Sequence, residues 1–211
     1  MKIIKIVSEK FSQNSYLVVE DKDAILVDGG VFVKDIEENL KLLSPKPTLK
    51  AVFLTHEHFD HILEVDNIIA KYSCPVYIHE MGKNSLYKED ENMSILDNPM
   101  KLTHKKEIKK FKDGESFDFG GVKITCHHTP GHSLGSSVFV VDNNMFTGDT
   151  IFKVEHGRTD LFGGNPFVQQ ISFEKLRNNL IAGIDNFYPG HGANFTFEDI
   201  EYNLKHYFGE E

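Results

Sequence analysis

The apolar positions of this chain fall into short runs in its first third. Ile3–Val7, Ser15–Glu20 and Ala24–Val27 are rich in Ile, Val, Leu and Tyr, which predicts three strands. Asp21-Lys22-Asp23 is a polar hairpin turn between the last two. Asp28-Gly29-Gly30 closes the third strand, and its glycines permit a tight turn. Val33–Leu43 predicts a helix, stopped by Ser44-Pro45-Lys46-Pro47. Ala51-Val52-Phe53-Leu54 is continuously apolar, as in a buried strand, and Ile62–Ala70 has the spacing of an amphipathic helix. Cys74–His79 predicts a helix exit followed by another strand. Residues 81–106 break the pattern. They are polar, and scattered Met93, Ile95, Leu96 and Met100 suggest a loop packed partly on itself, a type of segment that often binds ligands.

The strand pattern resumes beyond that loop. Ile108–Phe111, Glu115–Phe119 and Val122–Cys126 alternate apolar and polar residues around Gly114 and Gly120-Gly121. Ser137–Val141 and Met145–Thr147 form a hairpin pattern across Asp142-Asn143-Asn144. Helices are expected at Ile171–Ala182 and Thr196–Tyr207.

Composition narrows the classes. With 211 residues, 40% of them hydrophobic, the chain has enough apolar material for a sizeable core, and we expect one domain over 1–211. A net charge of −9 argues against a general nucleic-acid or membrane-surface binder. The two cysteines, Cys74 and Cys126, form no paired motif, which suits a reducing cytoplasm. The opening Met1–Val7 is too short and too charged for a signal peptide, and no run approaches transmembrane length.

The chemistry gathers in Thr55-His56-Glu57-His58-Phe59-Asp60-His61, between the buried strand and the helix. Ligands of open α/β sheets usually bind at such loops. In extended backbone, residues two apart point the same way, so His56 and His58 can present two imidazoles to one metal ion. Asp60 and His61 begin the turn into the helix and aim elsewhere, where they can hold a second ion. Imidazole with carboxylate suits zinc, and also iron or manganese. A polar helix cap with incidental histidines is a poor account of three histidines and an acid so closely spaced. Three later turns carry single candidates: His132 in Thr129-Pro130-Gly131-His132-Ser133, Asp149 in Gly148-Asp149-Thr150, and His191 in Pro189-Gly190-His191-Gly192. Asp28 reads equally as a turn residue or as a group supporting the cluster. His79 is expected at a strand end near solvent, His104 in solvent, and His127 and His128 as structural.

Together these four motifs, in this order, resemble the metallo-β-lactamase superfamily, and the resemblance spans nearly the whole chain. It implies a four-layer αββα sandwich with metals at the rim between two β-sheets. It also implies that His56, His58 and His132 hold one ion, Asp60, His61 and His191 a second, and that Asp149 bridges them. The pattern departs from the commonest one at Ile62-Leu63-Glu64, where relatives often carry glycines, which bears on helix packing more than on chemistry.

The same resemblance sorts the branches. The β-lactamases usually have Cys at the Asp149 position and are secreted. Flavodiiron proteins have Glu at the His58 position and add a flavin domain. RNA-processing members bring basic surfaces or large insertions. Gly157-Arg158-Thr159-Asp160-Leu161-Phe162-Gly163-Gly164 resembles a loop of glyoxalase II-like hydrolases and persulfide dioxygenases; it reads either as a surface turn in which Arg158 and Asp160 satisfy each other or as a loop beside the metals. Because the chain stops soon after His191, the helical glutathione-binding domain of glyoxalase II is not expected. A short glyoxalase II-like hydrolase of an anionic thioester or ester is the reading that follows. It uses two divalent ions, zinc foremost, and a metal-bridging hydroxide that Asp60 orients. The alternatives are a single-iron persulfide dioxygenase, with His56, His58, and His132 or Asp149 as ligands, and a non-enzymatic metal-binding protein.

Overall fold

A computed structural model describes residues 1–200. The three expected strands, β1 (Lys2–Val7), β2 (Asn14–Glu20) and β3 (Asp23–Val27), form an antiparallel meander, with the expected hairpin between the last two. β4 (Thr48–Phe53), β5 (Val76–His79) and β6 (Ile108–Phe111) then add in parallel, completing a six-stranded sheet in the order β1-β2-β3-β4-β5-β6. The second sheet contains β7 (Ser116–Phe119), β8 (Val122–His128), β9 (Ser137–Val141), β10 (Asn144–Gly148), β11 (Asn186–Pro189) and β12 (Phe195–Thr196), side by side in chain order. Only β10 and β11 pair in parallel there; the other neighbours are antiparallel.

The period of two along each strand divides the core into layers. Tyr16, Val18, Ile25, Val27 and Phe53 of the first sheet meet Val122, Ile124, Phe139, Val141 and Phe146 of the second. Their alternating neighbours Leu17, Val19, Leu26 and Val52 turn outward and bury against Ile36 and Leu40 of α1 (Val33–Lys41) and Val65, Ile68 and Ile69 of α3 (Val65–Tyr72). On the far side, Val138, Met145 and Phe187 pack on Phe173 of α4 (Pro166–Lys175) and on Leu176 of the π-helical turn that follows it. The result is the expected αββα sandwich. Cys74 and Cys126 are buried in different layers and both are free thiols.

Phe53 is fully buried between the sheets. It stacks on Tyr77 at 4.9 Å and meets Phe117, Phe119 and Phe139 at 5.5, 5.9 and 5.7 Å. Phe53→Ala is expected to cost ~3–5 kcal/mol, from lost transfer energy plus the cavity left behind. Denaturant unfolding measures this directly, and a cost below ~1 kcal/mol would show that the inter-sheet layer repacks freely.

Two helices differ from the sequence pattern. The stretch expected as one helix from Ile62 to Ala70 is divided into α2 (Phe59–Ile62) and α3, with Glu64 at φ −108° and ψ 6° between them. The cause lies in the neighbouring strand end. Gly29 donates to the His61 carbonyl at 2.7 Å, and its own carbonyl accepts from the Glu64 amide at 2.9 Å. The backbone that would continue the helix is thus bound to Gly29. Glycine is needed for that approach: a Cβ at Gly29 would lie 2.6 Å from Val65 Cγ2, and one at Gly30 would lie 2.0 Å from the Asp60 carbonyl oxygen. The helix expected at Ile171–Ala182 begins earlier, at Pro166. Asn165 caps it, its side chain accepting from the amides of Phe167 and Val168, and proline occupies the first turn. The helix expected at Thr196–Tyr207 falls mostly outside the described residues.

Residues 81–106 do form a connection that packs on itself, with short 3-10 turns at Ser85–Tyr87 and Ser94–Leu96 and buried Leu86, Asn92 and Leu102. It is fastened to α3 by Asp66, whose carboxylate accepts from the backbone and hydroxyl of Thr103 and lies 3.0 Å from His104 Nδ1. His104 is therefore tied to a carboxylate, where the sequence suggested a solvated side chain. No helix among the described residues is long and apolar enough to cross a membrane.

Candidate metal centre

The ends of β3, β4, β10 and β11 meet at one rim of the sandwich. β3 and β4 run in parallel, with Val27 opposite Phe53, so the residues that follow each strand emerge together. After β3 the chain turns at Asp28, whose φ of 61° sends it back across the strand end. After β4 it runs into Leu54-Thr55-His56-Glu57-His58. On the second sheet, β10 and β11 also run in parallel, and the Gly190 amide donates to the Gly148 carbonyl at 2.8 Å. Asp149 and His191 are delivered side by side as a result. His132 comes from the turn between β8 and β9.

All seven predicted ligands converge there. The rings of His56, His58 and His132 stand 4.6–4.8 Å apart, centroid to centroid. Each of the three offers a nitrogen within 4.8 Å of the others, and Asp60, His61 and His191 form a second such group. Asp149 lies between them. Its Oδ1 is 3.3 Å from His61 Nε2, and its Oδ2 is 3.7 Å from both His132 Nε2 and His191 Nε2. Asp60 Oδ2 is 3.1 Å from His191 Nε2.

The groups behind the rings fix which nitrogen faces inward. The Asp28 carboxylate lies 2.8 Å from His61 Nδ1, so that nitrogen carries the hydrogen and Nε2 is left as a lone-pair donor. The Arg158 carbonyl does the same for His132 Nδ1 at 2.7 Å. Thr55 donates its hydroxyl to Asp28 at 2.9 Å, which leaves its oxygen to accept from His56 Nδ1 at 3.1 Å. The Nε2 atoms of His56, His58, His61 and His132, with Asp149 Oδ1, are buried and without a hydrogen-bond partner among the described residues. Buried polar atoms are rarely left so. Five of them pointing at one small volume, four nitrogens and a carboxylate oxygen, form a donor set that fits divalent cations.

Electrostatics agree with that fit. Burial, followed by the neighbouring histidines, pushes His56 well below the ordinary imidazole range; burial and His132 bring His58 down to about 3. Burial also lowers His132. These rings are neutral at physiological pH, which is the ligating form. Burial disfavours charge on Asp149 as well, but His61, His132 and His191 overcome it and hold the carboxylate ionised. His61 rises well above the imidazole range against its burial, drawn up by Asp28, Asp60 and Asp149. Cations entering such a cluster displace protons.

The centre opens into a cleft of about 360 Å³, walled by Phe59, Met93, Phe152 and Leu161, with Glu155 and Arg158 at its polar side. Met93 comes from the 81–106 connection, which thereby takes part in the site. Both readings of the 157–164 loop hold at once. The Arg158 side chain forms an exposed two-point ion pair with Asp160, 2.7 Å on each arm, while its backbone orients His132.

His156 lines the same cleft, whereas His79 and His128 stand apart. His79 is buried, 4% exposed, where a place near solvent was expected. It stacks face to face on His128 at 3.6 Å, and Phe111 covers its edge. His128 donates from Nε2 to the Leu134 carbonyl at 2.9 Å, a structural contact of the kind expected of it.

Several supporting residues carried no signal in the sequence. Gln13 is fully buried, its amide nitrogen 3.4 Å from His61 Nδ1. Asn14 donates to the carbonyls of Pro189 and Gly192 at 2.9 and 3.0 Å, gripping the His191 turn from both sides. Glu57, between two of the histidines, is also fully buried.

A family model described as the metallo-beta-lactamase superfamily matches residues 9–191. This chain belongs to that superfamily. A Streptococcus pyogenes protein called a probable metallo-hydrolase is 34% identical over 204 residues, covering 93% of this chain and 86% of the relative. A probable metallo-hydrolase of Methanocaldococcus jannaschii is 33% identical over 201 residues, covering 90% and 92%. Among solved structures, the BLEG-1 B3 metallo-beta-lactamase superposes with a TM-score of 0.82 at 28% identity, covering 94% of this chain and 95% of that one. The superfamily, its metallo-hydrolase relatives and the donor clusters together make this chain a metal-dependent hydrolase.

Proposed function

We propose that this chain hydrolyses a small thioester or ester, in the manner of glyoxalase II, with two divalent ions held at the rim. The observation that carries this reading is the pair of donor groups on either side of one carboxylate. In this reading His56, His58 and His132 would hold one ion, Asp60, His61 and His191 would hold the other, and Asp149 would serve both. When bound, such ions supply a water of lowered pKa and a Lewis acid for the carbonyl oxygen.

The chain's own residues do the rest. Asp60 is only partly covered and borders the cleft, so its carboxylate can orient the attacking water and take its proton. Phe59, Met93, Phe152 and Leu161 exclude bulk water from the scissile bond. Two carboxylates do not neutralise two divalent ions, and the remaining positive charge favours an anionic substrate despite the acidic surface. No serine or cysteine nucleophile is required.

The test is metal analysis of the purified chain alongside a panel of thioesters, esters and a β-lactam. About two zinc ions per chain with thioester turnover supports the proposal. A third donor group, His56, His61 and Asp149, crosses the two positions; the single-iron alternative would instead use His56, His58, and His132 or Asp149. One iron per chain with O2 uptake on a persulfide would replace hydrolysis with dioxygenation, and preferred turnover of the β-lactam would replace the thioester. His191→Ala removes a donor from one position only, so it should lose mainly one ion of the two. Retention of both at wild-type occupancy would show that the second position is assigned wrongly.

A further inference from the structure

Glu57 is 0% exposed and has no ion-pair partner among the described residues. Leaving a carboxylate so deep is costly unless its oxygens are bonded. Apart from its own backbone amide, the partners of this carboxylate lie in one turn. Ser133 donates its hydroxyl to Oε2 at 3.0 Å, and the Gly135 amide donates to both oxygens, at 3.2 and 3.1 Å. That turn carries His132. Gly82 and Gly135 make room: a Cβ on either would lie 2.6 or 2.5 Å from Oε2. Neighbouring bonds tighten the same junction. The Ser133 and Ser136 hydroxyls lie 2.9 Å apart, and the Ser137 amide donates to the Thr55 carbonyl at 2.9 Å.

Alternation along the extended segment explains the division of labour. His56 and His58 turn toward the metal centre, and the residue between them turns away, onto the His132 turn. We propose that Glu57 is a positioning residue: its carboxylate clasps the His132 turn to the His56–His58 segment and so sets the distance among three ligands of one ion. The inference rests on the two-metal reading given above. It assigns a role to a residue that touches neither metal nor substrate.

Glu57→Ala removes the clasp, and Glu57→Gln keeps its size and one acceptor oxygen. Two measurements apply to each: amide exchange in the metal-free chain, and chelator competition for each ion position. The expected result is faster exchange at Gly135 and ~10- to 100-fold weaker binding at the His56, His58 and His132 position. The Ala variant should be the worse of the two, and the Asp60, His61 and His191 position should be unchanged. A carboxylate that only stabilised the fold would weaken both positions together and lower the unfolding midpoint. That outcome, or wild-type exchange and affinity in Glu57→Ala, overturns the inference. If the wild-type chain binds no ion, the metal reading fails separately, and exchange at Gly135 in the metal-free chain still decides whether the clasp exists.

Discussion

Asp149→Asn is expected to lower occupancy at both ion positions and to reduce hydrolytic turnover by ~10²-fold or more. The size of the side chain is conserved, so packing is not at issue. What changes is charge and acceptor strength at the one carboxylate, among the described residues, within 3.7 Å of ring nitrogens from both donor groups. In the native chain three histidines hold that carboxylate ionised against its burial. An amide offers a single oxygen, so only one ion keeps a contact, and the mutual repulsion of two cations is left without its screen. Asp160→Asn is the control. Asp160 is an exposed acid paired, among the described residues, with Arg158, and its loss should leave metal content intact. Metal analysis and kcat on both variants make the comparison. Equal metal loss in both would deprive Asp149 of any special place, and full activity in Asp149→Asn would end the two-metal mechanism.

Asp28→Asn should be nearly as damaging, by a different route. Asp28 is 1% exposed and accepts from the Thr55 amide at 2.8 Å, the Thr55 hydroxyl and His61 Nδ1. Its φ of 61° is one that asparagine tolerates better than most residues, so the backbone turn survives the exchange. The asparagine oxygen can keep the bond to Thr55. Its NH2 then faces His61 Nδ1 and forces that nitrogen to accept, which moves the ring hydrogen to Nε2. A protonated Nε2 has no lone pair for a metal. We expect an unfolding midpoint close to wild type in the metal-free chain but ~10- to 100-fold weaker binding at the Asp60, His61 and His191 position. Undiminished affinity at that position would mean that the Asp28 contact does not set the His61 tautomer.

Local patterns made the strands and the ligands readable in advance. Neither a β-rich run nor a period of two depends on distant partners, so β2 and β3 were recognisable from their Ile, Val, Leu and Tyr and β8 from its alternation. The histidine cluster was equally local, with four donors inside six residues. His132, Asp149 and His191 each announce themselves by a turn but do not reveal their common destination; that came from the order of the motifs. What remained hidden depends on contacts across the chain. Asn14 meets Pro189 at a separation of 175 residues, and Glu57 meets Ser133 at 76. Neither partner carries a mark of the other. The break between α2 and α3 belongs to the same class, since the sequence from Ile62 to Ala70 favours an unbroken helix and only the Gly29 backbone prevents it. Asp28 lay between these cases, placed near the site by its strand end but given its role only by the His61 ring.

The donors of the centre come from both halves of the sandwich: His56, His58, Asp60 and His61 follow a strand of the first sheet, while His132, Asp149 and His191 follow strands of the second. An unfolded chain keeps only the His56–His61 cluster together and scatters the three donors of the second sheet, so ions bind the native state more tightly. An occupied position then adds at most RT ln(1 + [M]/Kd) to the free energy of unfolding, about 2.7 kcal/mol when free metal stands at 100 times its Kd. The cation supply around this protein therefore acts as a thermodynamic fastener between its two sheets, and starving the chain of metal loosens the joint between its halves as well as silencing its chemistry.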